Sequence, residues 1–131
     1  MAEADALADK HFSVAEANAL LPRLTQLLEA MLAARQRILD ERATWGPVIE
    51  KADGNGGGAH GKRLYHDTDK IQTILEEIND LGCIVKDVDS GLVDFPAIQQ
   101  GREVFLCWKL GELNVAYWHD IDSGFAGRQP L

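Results

Sequence analysis

Two cysteines, Cys83 and Cys107, are all that 131 residues contain, and neither stands in a CxxC spacing. A disulfide framework is therefore not expected, and the pair reads as buried, reduced thiols of a cytoplasmic protein. Basic residues are also short: 13 Lys and Arg against 21 Asp and Glu give a formal charge of -8. With a pI near 4.8 and no local Lys/Arg run, such a chain repels phosphate backbones, so neither nucleic acid nor an anionic membrane is expected as a partner. No apolar run approaches membrane-spanning length, and MAEADALADK lacks the basic region and apolar core of an export signal. The GxSxG elbow and the HExxH zinc motif are missing as well. What remains is an ordinary soluble composition, 46% hydrophobic with few aromatics, at a length suited to a single domain over 1–131.

Residues 1–12 are Ala-rich and acidic and read as a loosely held lead. Ser13-Val14-Ala15-Glu16 has capping-box spacing, in which the Ser13 hydroxyl and the Glu16 carboxylate satisfy amide donors at a helix start. Pro22 lacks an amide proton and its ring clashes with the preceding turn, so the helix over 13–44 is expected to kink or restart there. Leu24, Leu27, Met31, Ala34 and Ile38 form its apolar stripe, broadened by Leu28, Leu32 and Leu39. The glycines of 46–61 predict a flexible connection; GNGGGAHG lacks the preceding strand and the lysine-serine ending of a phosphate loop. Leu64, Ile71, Ile74, Leu75, Ile78 and Leu81 predict a second helix over 62–82, closed by Gly82 and packed antiparallel on the first. His66, Asp69, Thr73, Glu76 and Asp80 line a further stripe, read as solvated because the Glu-x-x-His order of di-metal bundles is absent.

Past Gly82 the period changes to two. CIVKDV, EVFLCWKL and NVAYWHDI within 83–131 predict strands, whereas Pro96 and Gly101 mark 95–102 as loop or a single helical turn. A four-residue hairpin loop from Gly111 to Asn114 would set Trp108 opposite Tyr117 and Cys107 opposite Trp118, with register open by about one residue. The fold class is then α+β in two layers, a helical hairpin on a small, mostly antiparallel sheet. Both faces of EVFLCWKL are apolar, and two helices cover only one. A second copy of the chain is the expected cover, giving a homo-oligomer; the Pro96 region and the C-terminal tail are the alternative.

The chain nearly repeats itself in DVDSG, 87–91, and DIDSG, 120–124. Asp87 with Asp89, and Asp120 with Asp122, lie one residue apart, so each pair shares a strand face. Were the two strand ends adjacent, four carboxylates would converge, with Asp94 nearby, and would need a divalent cation or arginines between them. Oxygen ligands of this kind suit Mg²⁺, Mn²⁺ or Ca²⁺. The other reading is structural: Asp and Ser before Gly shape turns, and Arg102 and Arg128 each grip a carboxylate. His119, in YWHD, is the candidate titrating or metal-binding imidazole, with Glu112 and Asp94 as candidate acidic companions. Cys107 lies in an apolar run without a basic neighbour, which marks it as inert.

FSVAEANALLP, GLVDFP, GREVFLCWKLGE and YWHDIDSGFAGRQPL, in that order, resemble an uncharacterised prokaryotic family, the domain of unknown function 2203. The resemblance covers nearly the whole chain from Phe12. It implies a small bacterial protein of unestablished activity and brings no catalytic residues with it.

Two functional classes follow. The leading one is a non-catalytic binding or assembly module, for a ligand the sequence does not identify. The alternative is a metal-assisted hydrolytic enzyme, using Mg²⁺, Mn²⁺ or Zn²⁺, with Asp87, Asp89, Asp94, His119, Asp120 and Asp122 as ligands and one acid as general base.

Overall fold

The computed structural model describes residues 8–52 and 58–131. Two helices, α1 (Val14–Ala52) and α2 (Gly58–Asp80), precede strands β1 (Ile84–Asp87), β2 (Leu92–Gln99), β3 (Arg102–Lys109), β4 (Tyr117–Asp120) and β5 (Gln129–Pro130). The strands form one antiparallel sheet in the order β1-β2-β3-β4-β5, and the helices lie on one face of it, an α+β arrangement.

The capping box forms: Ser13 N–H donates to Glu16 Oε1 at 2.9 Å and Glu16 N–H to Ser13 Oγ at 3.0 Å. Pro22 does not end the helix, which runs on as one element past 44 to Ala52. Its side chain is exposed, so the backbone acceptor it leaves without a partner is on the wet side of α1. Of the expected glycine-rich connection over 46–61, residues 46–52 and 58–61 are helical, and 53–57 lie outside the described residues. At the end of α2, Cys83 N–H reaches Ile78 O at 3.3 Å and Gly82 N–H reaches Asn79 O at 2.9 Å, the paired bonds of a Schellman cap. Gly82 has φ +96°, and a Cβ there would meet the Phe12 ring at 3.2 Å, so glycine is required twice over.

Ala17, Leu21, Leu24, Leu28 and Met31 of α1 and Ile74 and Ile78 of α2 form the core with Val93, Phe95 and Ala97 of β2 and Val104, Leu106 and Trp108 of β3. Residues 95–99 are strand after all, despite Pro96. The Pro96 carbonyl accepts from Phe12 N–H at 2.7 Å, on the side away from β3, and its missing N–H falls on that same side. The β1 pairing has already stopped at Asp94, so no ladder bond is lost. The lead is likewise held from Ala8 onward, by Ala8 N–H and His11 Nε2 on Glu103 Oε2 at 2.9 and 2.8 Å and by Phe12 packed edge-on against Phe95.

The β3–β4 register is one residue from expectation, pairing Cys107 with Tyr117 and Leu106 with Trp118. Trp108 Nε1–H donates to Glu112 O, and Asn18 Oδ1 on α1 accepts from Val115 N–H, so tertiary bonds to this connection, beyond turn geometry, set the slip. His119 consequently lies opposite Phe105, on the face away from the helices.

The middle of that second face is closed within one chain: Leu92, Asp94, Pro96, Phe105, Cys107 and His119 are all buried. Lys86 Nζ lies 4.8 Å from the Phe105 ring centre, and the Arg128 guanidinium sits 4.0 Å over Tyr117 and 4.8 Å over Phe125. The Lys86 stem lies on apolar surface while its ammonium reaches solvent, whereas Arg128 is largely buried and held by Glu112. The centre of this face therefore does not call for a partner subunit. Among the described residues, no helix is long and apolar enough to cross a membrane.

Candidate metal centre

The two aspartate turns do not meet. Asp87 pairs with Leu92, which pairs with Lys109, at one end of the sheet; Asp120 pairs with Val104, which pairs with Ala97, at the other. β1 and β4 are also separated by two strands. Each acid has local work. Asp87 Oδ2 accepts from Ser90 Oγ at 2.6 Å and from Ser90 N–H at 3.3 Å, bonds that hold its carboxyl below the usual aspartate range. Asp89 pairs with Arg35 on α1 at 3.0 Å, and Asp120 with Arg102. Asp122 is exposed. Arg128 grips Glu112 at 2.7 Å, tying the C-terminal tail to the β3–β4 connection. Burial raises the Glu112 carboxyl, but the Arg128 bond and the Lys109 amide outweigh it and leave it below its ordinary value. His66, Asp69, Thr73, Glu76 and Asp80 are exposed along α2, the solvated stripe expected of them.

Asp94 and His119 do come together, with a third residue that the sequence reading set aside. Asp94 on β2 stands directly opposite Cys107 on β3, and His119 on β4 stands opposite Phe105, one pleat along on the same face. His119 Nε2 is 3.0 Å from Asp94 Oδ2. Ligand atoms of Asp94, Cys107 and His119 all lie within 4.8 Å of one another, and among the described residues no other His/Cys/Asp/Glu group is arranged this way. The three are 1%, 0% and 2% exposed, so water screens none of their interactions.

The hydrogen bonding of the cluster is incomplete. His119 Nδ1 lies 2.7 Å from Asp120 O, and a carbonyl can only accept, so Nδ1 carries the proton. Nε2 then faces, across 3.0 Å, a carboxylate oxygen that can only accept. Something positive must lie between them, a proton or a metal ion. Asp94 Oδ1 is buried and has no hydrogen-bond partner among the described residues. Burial pushes the Cys107 thiol up to about 12, with the Asp94 charge and a hydrogen bond from the thiol to the Asp94 carboxylate adding to the effect, so without a cation it stays a thiol. A metal ion reverses that preference, since a coordinating thiol loses its proton outright. A histidine whose Nδ1–H is anchored on a backbone carbonyl is also how proteins orient Nε2 toward a metal.

Strand parity gives the side of each strand on which Cys107, Asp94 and His119 stand, and the observed registers make it one face. Cys107 alternates with Leu106 and Trp108, as Asp94 does with Val93 and Phe95 and His119 with Trp118, so all three belong to the side opposite the helix-facing residues.

The family model described as an uncharacterized conserved protein, DUF2203, matches residues 10–131. The chain belongs to that family. No curated protein and no solved structure matches it. The match includes all three residues of this DUF2203 cluster, both aspartate turns and the Glu112–Arg128 clamp.

Proposed function

We propose that this protein is a metal-binding module that holds a transition-metal ion of the zinc class on Asp94, Cys107 and His119. The observation that carries the reading is the convergence of Asp94, Cys107 and His119, whose ligand atoms lie within 4.8 Å of one another in a buried cluster beside an unpartnered Asp94 Oδ1. A thiolate, an imidazole and a carboxylate form a borderline-soft set that suits Zn²⁺, Co²⁺ or Fe²⁺ and disfavours the Mg²⁺ and Ca²⁺ expected of a carboxylate cage. Three protein ligands leave one coordination position for a water or a bound group.

The burial of all three ligands supports a held ion over a turnover centre. A hydrolytic enzyme needs a substrate path to the ion, and the three ligands are closed off from solvent, with Lys86 Nζ 3.9 Å from Asp94 Oδ2. The free, buried state of both cysteines supports a reducing, cytoplasmic setting, and the acidic charge supports a module without a nucleic-acid partner. For a homo-oligomer, the available apolar surface is at the ends of the second face, where Ile84, Ile98 and Ile121 remain exposed.

Metal content of protein purified without a histidine tag, followed by calorimetric titration with Zn²⁺, Co²⁺ and Mg²⁺, tests the proposal. Zinc and cobalt are expected to bind one per chain, cobalt with a thiolate charge-transfer band that is lost in Cys107→Ala. No binding of either ion ends the reading and leaves Asp94–His119 as a buried ion pair.

A further inference from the structure

Lys86 is the one residue of β1 without a register partner on β2: Val85 pairs with Val93 and Asp87 with Leu92, so Lys86 is the extra residue of a β-bulge. Bulges of this kind re-aim a side chain and recur beside functional sites. This one sends Lys86 across the second face, where its Nζ lies 3.9 Å from Asp94 Oδ2 and 4.8 Å from the Phe105 ring centre. Its side chain is 41% exposed whereas that of Asp94 is 1% exposed, so Lys86 stands between the cluster and solvent.

Resting on the metal-binding reading above, we propose that Lys86 is the gate of the centre: a cation that rests beside Asp94 while no ion is held and that an incoming metal must displace. The ammonium already stands beside Asp94, so an ion binding there would meet a like charge at close range, behind little water. The lysine stem is flexible and its head already touches solvent, so it can swing outward without unfolding the sheet. Zn²⁺ with the Asp94 carboxylate and a Cys107 thiolate is neutral as a set, so once the ion is in place the lysine has no charge left to balance. The phenyl face of Phe105 gives the ammonium a resting place at the mouth of the site.

The test is a Zn²⁺ titration of the full chain and of Lys86→Met, which keeps the stem on Phe105 and removes the charge, with Lys86→Arg as the charge-retaining control and circular dichroism to confirm folding. Lys86→Met is expected to bind Zn²⁺ about ten-fold or more tightly than the wild type, and Lys86→Arg no more tightly. Binding seen in Lys86→Met alone also supports the gate. Wild type and Lys86→Met binding equally overturns the gate and leaves the metal-binding reading standing, as does weaker binding by Lys86→Met. Failure of every variant to bind overturns both.

Discussion

Asp94→Asn separates a metal ligand from a structural carboxylate. The substitution keeps the shape of a side chain that is 1% exposed and removes its charge. The amide it introduces can donate to His119 Nε2 across the 3.0 Å now spanned to Oδ2, so the metal-free fold keeps a satisfied pair. Leaving one buried charge without its partner costs about 3–5 kcal/mol, but here the new amide satisfies His119 Nε2 and Lys86 turns to water, so the expected change is about 1 kcal/mol or less. For a domain of this size that is a Tm shift of roughly 5 °C at most. The wild type at a Zn²⁺ concentration 100-fold above Kd gains about 2.7 kcal/mol, or roughly 10 °C. Differential scanning fluorimetry of both proteins with and without Zn²⁺ is therefore expected to show similar metal-free midpoints and a zinc shift in the wild type only. A zinc shift that survives in Asp94→Asn refutes the assignment of Asp94 as a ligand. A metal-free midpoint lowered by 15 °C or so would show that the carboxylate is chiefly structural.

Other outcomes follow from the same geometry. Because the folded-state pKa of Glu112 is lowered, its contribution to stability is present above the ordinary glutamate range and is lost as pH falls through the lowered value; Glu112→Gln should flatten that part of the acid-unfolding curve. Both thiols are pushed up to about 12 by burial, so a disulfide reagent at pH 8 should leave Cys83 and Cys107 untouched in the native protein and titrate both after denaturation; fast labelling of native Cys107 would contradict the closed second face. Gly91 has φ +68°, and a Cβ there would stand 2.7 Å from Leu110 Cβ, so Gly91→Ala should cost about 1–3 kcal/mol in urea unfolding. Leu28→Ala, at a fully buried position of α1, should cost about 2–5 kcal/mol by the same measurement.

Local chemistry decided much of this protein before any long-range contact. The Ser13–Glu16 box, the 3.6-residue stripe from Leu24 to Ala34 and the Gly82 cap are interactions between near neighbours, and each forms where the residue types place it. The alternation of EVFLCWKL likewise requires a strand with two apolar faces, so the helix-on-sheet architecture was legible. Where a local rule misled, a tertiary partner had overridden it. Pro96 sits in a strand because Phe12 takes its carbonyl, and Pro22 sits in a helix because its side faces water.

The site belonged to the other category. The twin aspartate turns look alike and invite pairing, yet antiparallel order sends their strands to opposite ends of the sheet, where serines and arginines occupy most of the acids. Asp94, Cys107 and His119 show no motif spacing, because three strands deliver them and only the registers Asp94↔Cys107 and Phe105↔His119 align their side chains. A one-residue slip between β3 and β4 reverses a face, and in this chain the slip is set by bonds from Asn18 and within the connection from Lys109 to Val115. Residue type and periodicity thus determined which elements form and which sides are apolar. Which polar groups meet inside the second face was left to the tertiary structure, because register is a property of strand pairs and of what packs against their turns.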